Sequence, residues 1–237
     1  MTRRRWIADE VTSNRAALTG AHAAHLSRTL RARVGQEFEV VCGDVVRRAT
    51  VVGVNDERVE FVLGEEVSAT TAAAISLLLA VFKFDRMEWA IEKCTELNVT
   101  SIVPVIARRS EKHLTKAAEK RVERWRRIAR EASEQSRRVM PAEIRNPMKL
   151  AAALELLAEL RVVLAESERE AQLSEVLHER PGLQSLALAI GPEGGWTAEE
   201  LQQFEQAGWV AASLGETILR AETAAIAALA VARGEIG

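Results

Sequence analysis

From residue 72 onward, short apolar runs alternate with segments of helical period, and that alternation restricts the fold more than any other feature. "ISLLLAVF", "SIVPVIA", "RVVLAE", "SLALAIG" and "VAASLG" read as strands. The first is apolar without a break, as in a strand covered on both faces. Between and after them lie the helical segments "DRMEWAIEKCTELN", a long basic stretch from about Thr115 to Arg138, "KLAAALELLAEL", "TAEELQQFEQAG" and "AETAAIAALAVAR". "AEIR" is a candidate short strand. This order implies an α/β fold with a mostly parallel sheet and helices on both faces. In the first helix Met87, Ile91, Cys94 and Leu97 share a face, and Asp85 is placed to cap it. Asn98 closes it, since Asn tolerates left-handed backbone.

The first 70 residues have a different texture. "EFEVV", "VVRRATVVGV" and "VEFVL" alternate in polarity and are separated by "CGD" and "NDE", which argues for short antiparallel strands. One helix precedes them, with Ala23, Leu26 and Leu30 on one face and Gly35 where it would stop. Residues 1–71 and 72–237 are therefore expected to be separate domains.

Of the 237 residues, 48% are apolar, enough to bury a core in one or two domains. No apolar run approaches the roughly 20 residues of a membrane span. "MTRRRWIADE" lacks the apolar segment of a secretory signal. Cys42 and Cys94 have no metal-ligand spacing, so neither a metal site nor a disulfide framework is expected, and a cytoplasmic location fits. The net charge of -2 hides an asymmetry: residues 71–149 hold 17 basic and 10 acidic residues, residues 150–237 hold 5 and 14. A basic surface for a polyanion is one reading, and a well-solvated helix face is the other.

Ligands of open α/β sheets bind beyond the carboxyl ends of the strands. Two loops qualify. In "GPEGGWT", Gly191 ends a strand, Pro192 stiffens the turn, and Gly194 and Gly195 let backbone approach a ligand. Thr197 and Glu200 form a capping box. The loop lacks the Lys-Ser/Thr pair of a P-loop and the G-x-G-x-x-G dinucleotide fingerprint, and Glu193 would repel phosphate. A neutral or cationic ligand fits better, and a ligand-free turn is the other reading. In "SLGETILRAET", Leu214 ends a strand and Gly215 permits a bend. Ile218 and Leu219 suit the wall of an adenine pocket, or ordinary core. Arg220 stands at the start of a helix, either functional or paired with Glu216 or Glu222. That helix is apolar on nearly every face, so it is buried in its domain or against a second subunit.

"KRVERWRRIAREASEQSRR" places Arg121, Arg124 and Arg127 at three-residue spacing, with Trp125 and Ile128 on another face. Such clusters engage phosphate backbones through counterion release. Trp125 is either core or a base-stacking platform.

"FKFDRMEWAIEKCTEL", "RWRRIAREASEQS", "IGPEGGWTAEE" and "SLGETILRAETAAIAAL", in this order, resemble the RsmE family of SPOUT-class methyltransferases, which modify N3 of one uridine in 16S rRNA. The resemblance extends to "HLSRTLRARVG" and covers most of the chain. It implies an N-terminal PUA-like β-barrel that helps hold RNA, and a SPOUT domain with a C-terminal trefoil knot, an exception to the unknotted rule. It also implies a homodimer that methylates 16S rRNA or the 30S subunit. S-adenosyl-L-methionine would bind at Gly191, Pro192, Glu193, Gly194, Gly195, Leu214, Gly215, Ile218 and Leu219. Arg5, His25, Arg28 and Arg31 would face RNA with Arg121, Arg124 and Arg127.

Arg220 and Glu222 are the implied catalytic residues, Arg220 stabilising charge on the uracil oxygens. Glu193 or Glu222 would either accept the N3 proton or merely order the loops, and Gln135 and Ser136 are weaker site candidates. N3 lies on the Watson–Crick edge, so the target must be unpaired or extruded. The chain departs from the family pattern at Ala24, Asn98, Trp196 and Ala221, and the last excludes a hydroxyl at that position. A SPOUT enzyme acting on another RNA such as tRNA, and a non-catalytic RNA-binding protein, are the alternatives.

Overall fold

The computed structural model describes residues 5–43, 45–67, 72–136, 138 and 140–236. The chain divides into two compact units, Met1–Thr71 with Ser133–Pro141 and Ala72–Ala132 with Ala142–Gly237. The boundary expected at residue 71 falls among residues 68–71, outside the described ones.

The first unit contains β1 (Arg5–Ile7), β2 (Glu10–Val11), β3 (Arg15–Thr19), α1 (Gly20–Ala24), β4 (Glu37–Cys42), β5 (Val45–Val54) and β6 (Arg58–Val67). They form one sheet in the order β1-β4-β5-β6-β3-β2, antiparallel except for β1 against β4. Period-two patterning produces its core, with Phe38 and Val40 of β4 and Val59 and Phe61 of β6 buried against Trp6, Leu18 and Leu26. The expected helix is shorter than its pattern. α1 passes into a π-type turn, His25–Thr29, and Arg31 adopts φ 51, so the chain bends before Gly35. Ala23 and Leu26 are buried while Leu30 is left exposed.

The second unit contains β7 (Ala74–Ala80), α2 (Phe84–Glu96), β8 (Ser101–Ile106), α3 (Lys112–Ala118), α4 (Val122–Gln135) as far as Ala132, β9 (Glu143–Ile144) and β10 (Met148–Lys149). There follow α5 (Leu150–Ala153), β11 (Leu160–Leu164), α6 (Leu173–His178), β12 (Ser185–Ile190), α7 (Ala198–Gln206), β13 (Val210–Ala212) and α8 (Ala221–Ile236). Every pairing in its sheet is parallel, in the order β10-β8-β7-β12-β11-β13, with β9 also on β8. β7 is central, which explains its unbroken apolar run. Leu77 and Leu79 face a core that includes Met87, Ile91, Trp125 and Leu229. Leu78 and Ala80 face the opposite core, with Leu150, Trp196, Phe204 and Trp209. Successive strand residues thus serve both layers.

Three local features differ from the pattern. Lys83, not Asp85, takes the N-cap position of α2, and Asp85 lies in the first turn, where a carboxylate complements the helix dipole. The basic stretch is interrupted at Glu119–Arg121 by a 3-10 turn, and α4 ends at Gln135. Only Leu150–Ala153 of the Leu-rich segment is helical. Its flanks belong to the sheet, Lys149 opposite Ile106 and Leu160 opposite Leu186. Asn98 closes α2 at φ 63, as its residue type predicts. Arg233 of α8 donates to the backbone oxygens of Leu97 and Asn98, and to Ala73 O at 2.7 Å, satisfying carbonyls that a helix end leaves unpaired. Among the described residues no helix is long and apolar enough to cross a membrane.

Candidate active site

Three loops at the carboxyl edge of the parallel sheet enclose a cavity of about 440 Å3. They follow β11, β12 and β13. Ile190, Ala212, Ala221 and Ala224 contribute apolar wall, and Glu166, Glu193 and Glu216 supply carboxylates. Gly191, Pro192, Glu193, Gly194, Gly195, Leu214, Gly215, Ile218 and Leu219 all line this one cavity. Ile218 is 78% exposed, so its core reading is wrong: it stands on the lip with its side chain in the open.

The first loop is held from several sides. Gly195 N donates to Pro192 O at 2.8 Å, closing a turn that needs the left-handed backbone of Gly195, φ 70. A Cβ on Gly191 would lie 3.2 Å from Trp196 Nε1, and one on Gly194 would lie 3.3 Å from Arg109 Cδ. Arg109 Nη1 donates to Gly194 O at 2.6 Å and to Trp196 O at 3.3 Å. Trp196 packs edge-on against Phe204, and its buried Nε1 has no hydrogen-bond partner among the described residues. The Thr197–Glu200 capping box forms in full.

Glu193 accepts a hydrogen bond from Arg86 Nη1 at 2.8 Å. Arg86 Nε also lies 3.7 Å from Glu222 Oε1. The Glu222 side chain is 8% exposed, and its Oε2 has no hydrogen-bond partner among the described residues. Arg220 forms no ion pair with Glu216 or Glu222. Its carbonyl accepts from Ala224 N at 2.8 Å, while its exposed side chain follows the lining residue Leu219.

Arg86, Arg109 and Glu166 were not singled out by the sequence. Arg86 is a polar position on an amphipathic helix and carries no local signal. Arg109 could have been found, because a basic doublet directly after the apolar run "SIVPVIA" sits at a carboxyl strand end. Gln135 and Ser136 group with the first unit and are not among the cavity-lining residues.

Several arginines expected to face RNA are engaged. Arg5 Nε donates to Glu39 at 2.7 Å, and the His25 ring lies 5.8 Å from that of Trp6. Arg28 pairs with Asp56 at 2.8 Å on the surface, and the hydrogen bonds of Arg28 and Ser27 hold the Asp56 carboxyl below its usual range. Arg31 is exposed. Arg124 Nε donates to Glu88 at 2.7 Å, and Arg121, in the 3-10 turn, lies 3.8 Å from the same carboxylate and 5.0 Å over the Phe84 ring. Arg127 is exposed on α4. Trp125 is fully buried and packs edge-on against Phe84, so it is core.

A parallel α/β sheet with a cleft of small-ligand size at its carboxyl edge defines a ligand-binding enzyme domain. Residues 70–233 match the model of the RNA methyltransferase domain family. Over 225 residues the chain is 30% identical to ribosomal RNA small subunit methyltransferase E of Bacillus subtilis (strain 168), covering 90% of this chain and 87% of the relative. The relative of the same name from Synechocystis is 31% identical over 217 residues, covering 90% and 71%. The crystal structure of ribosomal RNA small subunit methyltransferase E from Neisseria gonorrhoeae bound to S-adenosyl methionine superposes with a TM-score of 0.84 at 29% identity, covering 96% and 95%. The Legionella pneumophila methyltransferase structure in complex with bound SAM gives 0.84 at 27%, covering 99% and 98%. The chain belongs to the ribosomal RNA small subunit methyltransferase E family of RNA methyltransferases.

Proposed function

We propose that this chain transfers a methyl group from S-adenosyl-L-methionine to N3 of one uridine in 16S rRNA of the small ribosomal subunit. The observation that carries the reading is the single cavity enclosed by the "GPEGGWT" and "LGETILR" loops. Its volume, about 440 Å3, lies in the range of small-ligand sites. Three carboxylates, Glu166, Glu193 and Glu216, line the cavity beside Arg169 and an Arg109 occupied by the carbonyls of Gly194 and Trp196, a balance that favours an adenosyl sulfonium over a phosphate. Ile218 and Leu219 suit an adenine ring.

When bound, the cofactor supplies a methyl group on a sulfonium. The chain's residues hold, orient and dehydrate. Gly191 to Gly195 and Leu214 to Leu219 embrace the ligand, and the apolar wall excludes water. Arg220, exposed and without an ion pair among the described residues, would neutralise charge that develops on the uracil oxygens. Glu193, which lines the cavity and is bonded to Arg86, or Glu222, which adjoins the lining residue Ala221 without itself lining the cavity, would accept the N3 proton.

The first unit is read as a PUA-like barrel that holds RNA through Arg5, His25, Arg28 and Arg31; Arg121, Arg124 and Arg127 of the second unit are candidates for RNA contact in their own right. Barrel closure is supported by residues 5–11, where Ala8 N donates to Val41 O and Asp9 N to Ala17 O, so one segment bonds strands at both ends of the sheet order. A trefoil knot in the second unit and a homodimer belong to the same reading.

Calorimetry with S-adenosyl-L-methionine, and mass spectrometry of 16S rRNA from a deletion strain after incubation with the purified protein, test the reading. Saturable heat and an N3-methyluridine in one fragment are expected. Binding with no gain in 16S rRNA, but methylation of tRNA, would redirect the substrate assignment.

A further inference from the structure

We propose that Arg86 is a positioning residue that locks the two cofactor loops together, an inference that rests on the methyltransferase reading above. Arg86 lies in the first turn of α2, beyond the carboxyl end of β7. β7 pairs with β12 over six residues, so this turn starts beside the loop that follows β12. The guanidinium uses two different edges: Nη1 donates to Glu193 at 2.8 Å, and Nε faces Glu222 at 3.7 Å. Glu193 belongs to the glycine loop, and Glu222 to the first turn of α8, directly after the second loop. One cation therefore ties both walls of the cavity from behind, without itself lining it.

This contact differs from an ordinary surface ion pair, which contributes little. One partner is nearly buried, with an exposure of 8%, and the Arg86 side chain is itself 30% exposed. Removing Arg86 would leave a buried carboxylate uncompensated and two like charges facing each other across the gap. Lysine, a single point charge, cannot engage two divergent carboxylates as a planar fork does. Arg86 thus acts through Glu193 and Glu222, setting the width of the cavity and the aim of Glu222.

Hydrogen exchange of the ligand-free full-length protein reads the coupling directly. Arg86→Gln is expected to raise exchange in segments 191–196 and 215–222 together, Glu193→Gln in the first only, and Glu222→Gln in the second only. Calorimetry should show the Kd for S-adenosyl-L-methionine rising about tenfold in Arg86→Gln. Single-turnover transfer at saturating cofactor should fall by a further factor of about 10–100, as expected of misplaced groups. Arg86→Lys should recover affinity to within about threefold and leave the saturating rate low. Wild-type exchange, affinity and saturating rate in Arg86→Gln, with only a lower melting temperature, would overturn the inference. If Arg86→Gln does not fold, Glu193→Gln and Glu222→Gln carry the test, and strictly additive effects on Kd would count against coupling. Failure of the wild type to bind the cofactor sinks the methyltransferase reading, whereas the exchange pattern still tests the lock.

Discussion

Glu200 of α7 accepts the backbone N–H of Arg108 at 2.8 Å through Oε1, while its Oε2 accepts Thr197 N at 2.9 Å. A residue legible only as half of a capping box therefore also anchors the start of α7 to the segment after β8. The next residue, Arg109, grips the carbonyls of Gly194 and Trp196. Backbone and side chain of this basic doublet thus fix the glycine loop from one side, as Arg86 does from another.

Glu200→Ala is expected to destabilise the protein by about 1–3 kcal/mol, because it removes the reciprocal half of the capping box and leaves two partly buried N–H groups without acceptors. Glu200→Gln should cost about half as much, since one oxygen remains. Urea unfolding checks both, and equal midpoints for Glu200→Ala and wild type would show that the Arg108 contact adds nothing.

Cys94 gives a chemical test of the core beneath α2. Complete burial pushes its thiol up to about 12, and burial also raises that of Cys42. The thiolate is the reactive form, so a raised value keeps Cys94 protonated and inert well above pH 8. Ellman's reagent at pH 8 is expected to modify Cys94 only after denaturant is added. Rapid labelling of Cys94 in the native protein would mean that the α2 face opens.

The strand and helix alternation of residues 72–236 was readable because a central parallel strand must be apolar on both faces, and "ISLLLA" is. The cavity was readable because a glycine pair and out-of-place apolar residues mark loops at carboxyl strand ends, and both Gly195 and Ile218 line it. What was hidden depends on contacts distant in sequence. Nothing near Arg86 announces Glu193 or Glu222, and Glu88 gives no sign that it will take up Arg124. Helix lengths failed where the sheet intervened. "KLAAALELLAEL" has helical period, yet Lys149 and Leu160 are claimed by neighbouring strands. The extended helix around Leu30 failed for a backbone reason, the left-handed turn at Arg31.

The basic helix contains two kinds of arginine, and they should behave differently. Arg124 is bonded to Glu88, which also raises the guanidinium above its usual range, so RNA must compete for it. Arg127 is exposed. Arg127→Glu is expected to weaken RNA binding and lower the slope of log affinity against log salt by roughly 1–2. Arg124→Ala should lower the slope less and change stability by no more than about 0.5 kcal/mol, as exposed pairs do. Binding isotherms from 50 to 300 mM salt decide the matter, and a slope unmoved by Arg127→Glu would make this face merely solvated.

Arg220 is the sharpest test of the chemistry. Its side chain is exposed beyond Leu219, and neither carboxylate weighed from the sequence pairs with it. On the proposed reading, a group so placed would contribute little to holding the cofactor and much to meeting charge that appears only as the proton leaves uracil. Arg220→Ala is therefore expected to keep the Kd for S-adenosyl-L-methionine within about threefold, since the cavity wall is intact, while single-turnover transfer falls by about 100–1,000-fold. Arg220→Lys should recover only part of the rate, because a bidentate donor becomes a point charge. Calorimetry and rapid-quench methylation of the same 16S rRNA fragment separate the two quantities. A rate near wild type in Arg220→Ala would move charge stabilisation to another residue, whereas a lost Kd at normal saturating rate would make Arg220 a cofactor ligand instead.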